Sequence, residues 1–209
     1  MLVEKTIKDF LAETASDSPA PGGGSVAALS AALAASLGTM VCNLTIGKDQ
    51  YVKVQQEVVK LKEKLTNYMN RSTDLVDLDA NAFNDVMAGF KLPKETEDQK
   101  KARSDAIQSG YKKAIAVPLD TARIAVECLK ALEPLVEKGN QNAITDGGTG
   151  ALMALAATRG AILNIKINLS KVKDLEYAKN VKEEIHSLEN GALVLTDRIM
   201  KKIVSLIGS

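Results

Sequence analysis

Residues 54–90 read VQQEVVKLKEKLTNYMNRSTDLVDLDANAFNDVMAGF. Apolar side chains recur at Val54, Val58, Leu61, Leu65, Tyr68/Met69, Leu75/Val76, Phe83, Val86 and Phe90. Steps of four and three place them on one stripe of an α-helix. The stripe persists for about five heptads, at most ~55 Å of helix, and stripes of that length are the seams of helical bundles. Leu92-Pro93 stops the helix, and Thr96 with Gln99 forms a capping box for the next one. That helix is predicted to bend at Pro118, with Pro134 as a second kink point, and to end near Gly139.

The same pattern extends outward on both sides. Upstream, a short helix over about Glu4 to Glu13 places Ile7, Phe10 and Leu11 on one face. The run from Ser16 through Pro19-Ala20-Pro21-Gly22-Gly23-Gly24 breaks it. Ser25 is a natural N-cap for an Ala-rich helix ending at Gly47, whose small side chains let neighbouring backbones approach closely. Downstream, Thr145 or Asp146 can cap a helix through Leu169. The stretch Ile165 to Leu169 alternates with period two, yet it continues an Ala-rich run without a turn signal and reads as helix. A last helix spans about Leu175 to Ile207, with Ala178, Val181, Ile185, Leu188, Ala192, Leu195, Ile199 and Ile203 facing inward. The expectation is an all-α chain, one domain over residues 1–209, folded as a bundle of five or six long antiparallel helices.

Composition removes several functions. Lys plus Arg number 27 and Asp plus Glu 26, a net charge of +1, which argues against a nucleic-acid or anionic-lipid binder. Aromatics make up only 3% of the chain, too few for base-stacking platforms. Cys42 and Cys128 are far apart in apolar surroundings and read as core residues. The single histidine, His186, lies in the charged run Lys182 to His186, a solvated face, so neither a His-rich metal site nor a Ser-His-Asp triad is on offer. The N-terminus lacks a signal-peptide pattern, and the apolar stretch Val26 to Val41 is shorter than a membrane span. A cytoplasmic location without membrane contact is the expectation.

Three features break the bundle pattern. Asp79 occupies a seam position where the register calls for an apolar side chain, whereas Asp74, Asp77 and Asp85 fall off the seam and read as solvated. A carboxylate on a buried stripe loses hydration, and its raised pKa suits it to proton exchange near neutrality. The alternative is a buried acid bonded to a helix end or a lysine. In the loop before the Ala-rich helix, Gly22, Gly23 and Gly24 with Ser25 expose a helix N-terminus where N–H groups and the dipole attract anions. Triple glycine also serves as a tight helix entry. A third cluster is amidic: Asn140, Asn142, Asp146, then Asn164 and Asn168 at i,i+4, which need partners in another helix or a ligand.

The segments Pro19-Ala20-Pro21-Gly22-Gly23-Gly24-Ser25-Val26-Ala27-Ala28-Leu29 and Leu44-Thr45-Ile46-Gly47-Lys48 resemble the formiminotetrahydrofolate cyclodeaminase family. So do Asp79-Ala80-Asn81-Ala82-Phe83, Leu92-Pro93-Lys94, Ala106-Ile107-Gln108, Val117-Pro118-Leu119, Gly139-Asn140, Thr145-Asp146 and Gly160 to Leu169, in order along nearly the whole chain. The resemblance implies a dimeric helical bundle acting on tetrahydrofolate one-carbon derivatives, with a catalytic aspartate at Asp79 and Asp77 as the alternative. It implies cyclodeamination: folate N10 attacks the formimino carbon on N5, and the tetrahedral centre expels ammonia. One carboxyl can relay both protons without a metal, a nucleophile or a bound cofactor. Gly22 to Ser25 and Lys48 would hold carboxylate or pterin groups, with Asn140, Asp146, Asn164 and Asn168 as polar wall. A methenyltetrahydrofolate cyclohydrolase, or a non-catalytic folate-binding bundle, fits the same residues.

Overall fold

A computed structural model describes residues 1–208. Among them the chain forms six α-helices and no strand: α1 (Ile7–Thr14), α2 (Gly23–Thr45), α3 (Gln55–Phe90), α4 (Glu97–Lys138), α5 (Ile144–Leu169) and α6 (Leu175–Ile207). The Thr96/Gln99 capping box opens α4, and the alternating stretch at 165–169 is helix. Cys42 and Cys128 are buried free thiols, which burial pushes up to about 11 and about 12.

Helix α2 runs at the centre, packed on α3, α5 and α4. Its alanines supply almost no side chain, so other helices close on its backbone; Ala28, Ala31 and Ala35 have no exposed surface. A Cβ at Gly38 would lie 2.9 Å from Leu65 Cδ1 and 3.0 Å from Leu132 Cδ2, so a larger residue there would push both leucine side chains aside where α3 and α4 close on α2. Leu65, Leu75, Leu129, Leu132 and Ile199 fill the core around it. Helix α6 lies across α4 and α5, and its predicted inward positions are buried except Leu188, which is half-buried. Between α2 and α3, Gly47 turns the chain at φ +80°, a left-handed conformation suited to glycine.

Several local expectations are corrected. Gly22, not Ser25, is the N-cap of α2, because the helix already begins at Gly23 and places Ser25 in its first turn. Neither Thr145 nor Asp146 caps α5; Asn140 caps a 3-10 turn (Gln141–Ala143) that leads directly into it. Only Phe10 of the α1 face is buried, while Ile7 is 81% exposed, because α1 lies on the outside of the bundle. Helix α2 is longer than the apolar stretch Val26 to Val41, and it and Gln141–Leu169 are long and apolar enough to cross a membrane. More than half of the α2 window and 44% of the other are buried in the bundle, as core helices are.

Candidate functional site

The α3 seam leaves the core at Asp79. Val58, Leu65, Leu75 and Val76 are buried, but past Asp79 only Val86 of the seam stays buried, packed against Gly110 of α4, while Phe83 and Phe90 are 38% and 43% exposed. The antiparallel course of α2 explains the change: Gly38 packs on Leu65, Gly24 packs on Asp79, and α2 then begins. Beyond that level α3 has no α2 to cover it. The vacated space is a cleft of about 400 Å³ walled by α3, α4, α5 and the Pro19–Gly22 segment, with the N-terminus of α2 as its floor.

Asp79 projects from α3 into this floor. Ser25 Oγ donates to Asp79 Oδ2 at 3.1 Å, and the Ser25 backbone N–H donates to the same carboxylate. Burial raises the carboxyl pKa above its ordinary value, and the two Ser25 bonds pull it down without cancelling that rise. The acid is therefore both bonded to a helix end, one of its two anticipated readings, and open to a ligand cleft. A Cβ at Gly24 would collide with the Asp79 carboxylate, and one at Gly23 would lie 3.2 Å from Asn164 Nδ2. The glycines thus let α2 come into contact with α3 and α5 together.

Asn164 and Asn168 form the α5 wall. Asn164 Nδ2 donates to Gly160 O, and Asn168 Nδ2 donates to both Asn164 O and Ala114 O at 3.0 Å, fastening α5 to α4. Both line the cleft with Gly22, Gly23, Gly24 and Asp79. The structure does not bring Lys48, Asn140 or Asp146 to them. Lys48 and Asn140 sit beyond the C-terminus of α2, whose 22 residue steps span roughly 33 Å. Asp146 is near the start of α5, 18 residues before Asn164, roughly 27 Å away. Asn140 is 3% exposed and committed to structure: its N–H donates to Thr45 Oγ1, Nδ2 to Leu44 O, and Oδ1 accepts from Asn142 N–H. Asp77 faces away from the cleft residues, and its Oδ1 accepts the Leu2 N–H at 2.6 Å rather than being solvated.

Sequence reasoning missed the aromatic wall. Phe83, Phe90 and Tyr111 line the cleft, three of the seven aromatic residues in the chain. Phe90 and Tyr111 meet edge to face at 6.4 Å, and the Arg103 guanidinium lies 5.5 Å over the Phe90 ring while donating to Phe90 O. Phe83 and Phe90 keep the seam register and so read as core from sequence; only the starting point of α2 tells core from cleft. Lys171 was also missed. A half-buried carboxylate, a helix N-terminus, amide groups and flat apolar faces suit a heteroaromatic ligand that exchanges a proton at Asp79.

Residues 6–187 match the family model described as formiminotransferase-cyclodeaminase. The chain is 39% identical over 205 residues to a methenyltetrahydrofolate cyclohydrolase of Methylorubrum extorquens, covering 98% of this chain and 99% of that protein. It is 34% identical to the formimidoyltransferase-cyclodeaminase of Rattus norvegicus over 90% of this chain, which corresponds to 35% of the rat enzyme. A crystal structure of formiminotetrahydrofolate cyclodeaminase from Thermotoga maritima superposes with a TM-score of 0.89 at 28% identity, covering 99% of this chain and 100% of that one.

Proposed function

The chain belongs to the formiminotransferase-cyclodeaminase family, and from that premise we propose that it is a folate one-carbon enzyme acting at the carbon joined to N5 and N10 of tetrahydrofolate, with Asp79 as its proton relay. The observation that carries this reading is the Asp79 carboxylate, desolvated yet held open to the cleft by Ser25 and Gly24. Phe83, Phe90 and Tyr111 offer faces to the pterin and aminobenzoyl rings, and Asn164 and Asn168 offer amides to pterin polar groups.

Two overall reactions pass through the same kind of tetrahedral carbon. In hydrolysis of the 5,10-methenyl form, the Asp79 carboxylate takes a proton as water adds to the carbon. It returns that proton to N5 as the N5–C bond breaks, and the added hydroxyl loses its proton to solvent, leaving the 10-formyl product. In cyclodeamination, Asp79 takes the N10 proton as N10 attacks the formimino carbon and delivers it to the departing nitrogen, which leaves as ammonia. The higher identity over both full lengths favours the hydrolytic reading, reversing the order implied by the resemblance. The end-to-end match to the Thermotoga enzyme favours the second.

The test supplies 5,10-methenyl- and 5-formiminotetrahydrofolate separately and follows the methenyl chromophore. Its disappearance from the first substrate faster than in buffer establishes the hydrolase. Its appearance from the second, with ammonia release, establishes the cyclodeaminase. Silence on both refutes the proposal and leaves a non-catalytic bundle.

A homodimer is part of the same proposal. Val26, Leu33 and Met40, seven residues apart on α2, are exposed, and α2 carries no charged residue from Gly23 to Thr45. Exposed Leu152 and Leu163 lie on the adjacent α5. A broad, uncharged, heptad-spaced face suits a second copy of itself.

A further inference from the structure

The cleft is bipolar. Among the described residues that line it, Asp79 is the only acid and Lys171 the only base. They stand at opposite ends. Asn164 marks the Asp79 level through its contact with Gly23, and Lys171 follows seven residues later, two helical turns or roughly 10 Å further along. Phe90, on the same side as Lys171, is 11 residues from Asp79 on α3, roughly 16 Å along the axis.

Lys171 is exposed and makes no ion pair among the described residues, whereas Lys112 and Lys113 on α4 and Lys166 on α5 each have an acidic partner. Its backbone, by contrast, is clamped. Gln108 on α4 donates from Nε2 to Lys171 O at 3.0 Å and accepts the Lys173 N–H on Oε1 at 2.8 Å. Lys171 N–H donates to Asn168 O at 3.0 Å, which ties the turn to the same asparagine that bridges α5 and α4. A fixed backbone carrying an uncommitted cation at a cleft mouth is built to receive an anionic group.

We propose that Lys171, positioned by Gln108, binds a carboxylate of the glutamate tail of the folate and so selects tailed substrates. The inference rests on the proposed folate reading and deepens it. A ligand whose reacting carbon lies at Asp79 extends its aminobenzoyl ring past Phe83 toward Phe90 and Tyr111, bringing the terminal carboxylates to the Lys171 end. Lys171 is then a binding residue and Gln108 a positioning one.

The experiment compares 5,10-methenyltetrahydrofolate with the corresponding methenyltetrahydropteroate, which lacks the glutamate, on wild type, Lys171→Met, Lys171→Arg and Gln108→Ala. Lys171→Met is expected to raise KM for the folate about tenfold with little change in kcat, the size of a lost charge-assisted contact at an open site. It leaves the pteroate unchanged. Gln108→Ala gives a smaller rise on the folate alone, and Lys171→Arg restores most of the affinity. Equal effects on both substrates, or none on either, overturn the inference while leaving the folate reading intact. If wild type turns over neither substrate, the proposed reaction fails. Titration calorimetry with the same two compounds then decides: a folate preference lost in Lys171→Met supports the role, and any other pattern removes it.

Discussion

At the scale of single residues, Asp79 is held where its charge is costly. Burial raises its pKa above the ordinary 3.8, so the folded chain binds that proton more tightly than the unfolded chain does. Stability from this group is fully present below the unfolded pKa and is lost as pH rises through the raised folded value. Asp79→Asn is therefore expected to melt no lower than wild type at neutral pH, with any advantage vanishing below about pH 4. Its turnover is expected to fall by about 10²–10⁴-fold. A thermal melt and a rate measurement check the two together; a strongly destabilised but active variant would make Asp79 a structural acid. The Ser25 hydroxyl favours the carboxylate form. Ser25→Ala is expected to move the acid limb of the kcat/KM profile to higher pH, and a limb that stays put or moves down contradicts this. Gly24 is the third member of the group. Gly24→Ala drives a methyl into the Asp79 carboxylate, with an expected loss of about 1–3 kcal/mol by denaturant melts and of most activity.

Among the helices, α3 was legible in full and α2 only in part. The seam over 54–90 and the Thr96/Gln99 box give boundaries directly, because period and capping are local properties. The start of α2 lies three residues before the one its sequence suggests, since glycine can cap or continue a helix and only the packing on Asp79 and Asn164 decides. That small difference carries the site: where α2 begins sets where the α3 seam turns from core to cleft, and so the role of Phe83 and Phe90. The amidic cluster failed to stay together for a related reason. Asn140 and Asp146 are close in sequence to the start of α5, while Asn164 and Asn168 are at its far end. Asn140 fastens the α4–α5 connection to the C-terminus of α2. Asn140→Ala is expected to cost about 1–3 kcal/mol in a urea melt, as a buried network loses its centre, with kcat unchanged in the folded fraction. A kcat defect without a stability loss would return Asn140 to the site.

For the whole molecule, the bundle gives rigid walls to an opening made simply by ending its central helix early. Four helices converge on that end, and the acid, the amides and the aromatic faces each come from a different position along them. The uncharged outer stripe of α2 is the other molecular-scale feature. Leu33, 47% exposed and distant from the cleft floor, is its midpoint. Leu33→Glu is expected to shift sedimentation from dimer to monomer, and a wild-type chain that sediments as a monomer contradicts the proposed pairing. The proposed function has one carboxylate at the foot of the cleft move the protons of a folate one-carbon reaction. Its most direct test is the rate of change of methenyl absorbance with wild type and Asp79→Asn at saturating substrate and neutral pH. The wild-type rate is expected to lie well above buffer and that of a folded Asp79→Asn protein close to buffer; equal rates for the two proteins would overturn the proposed role of Asp79.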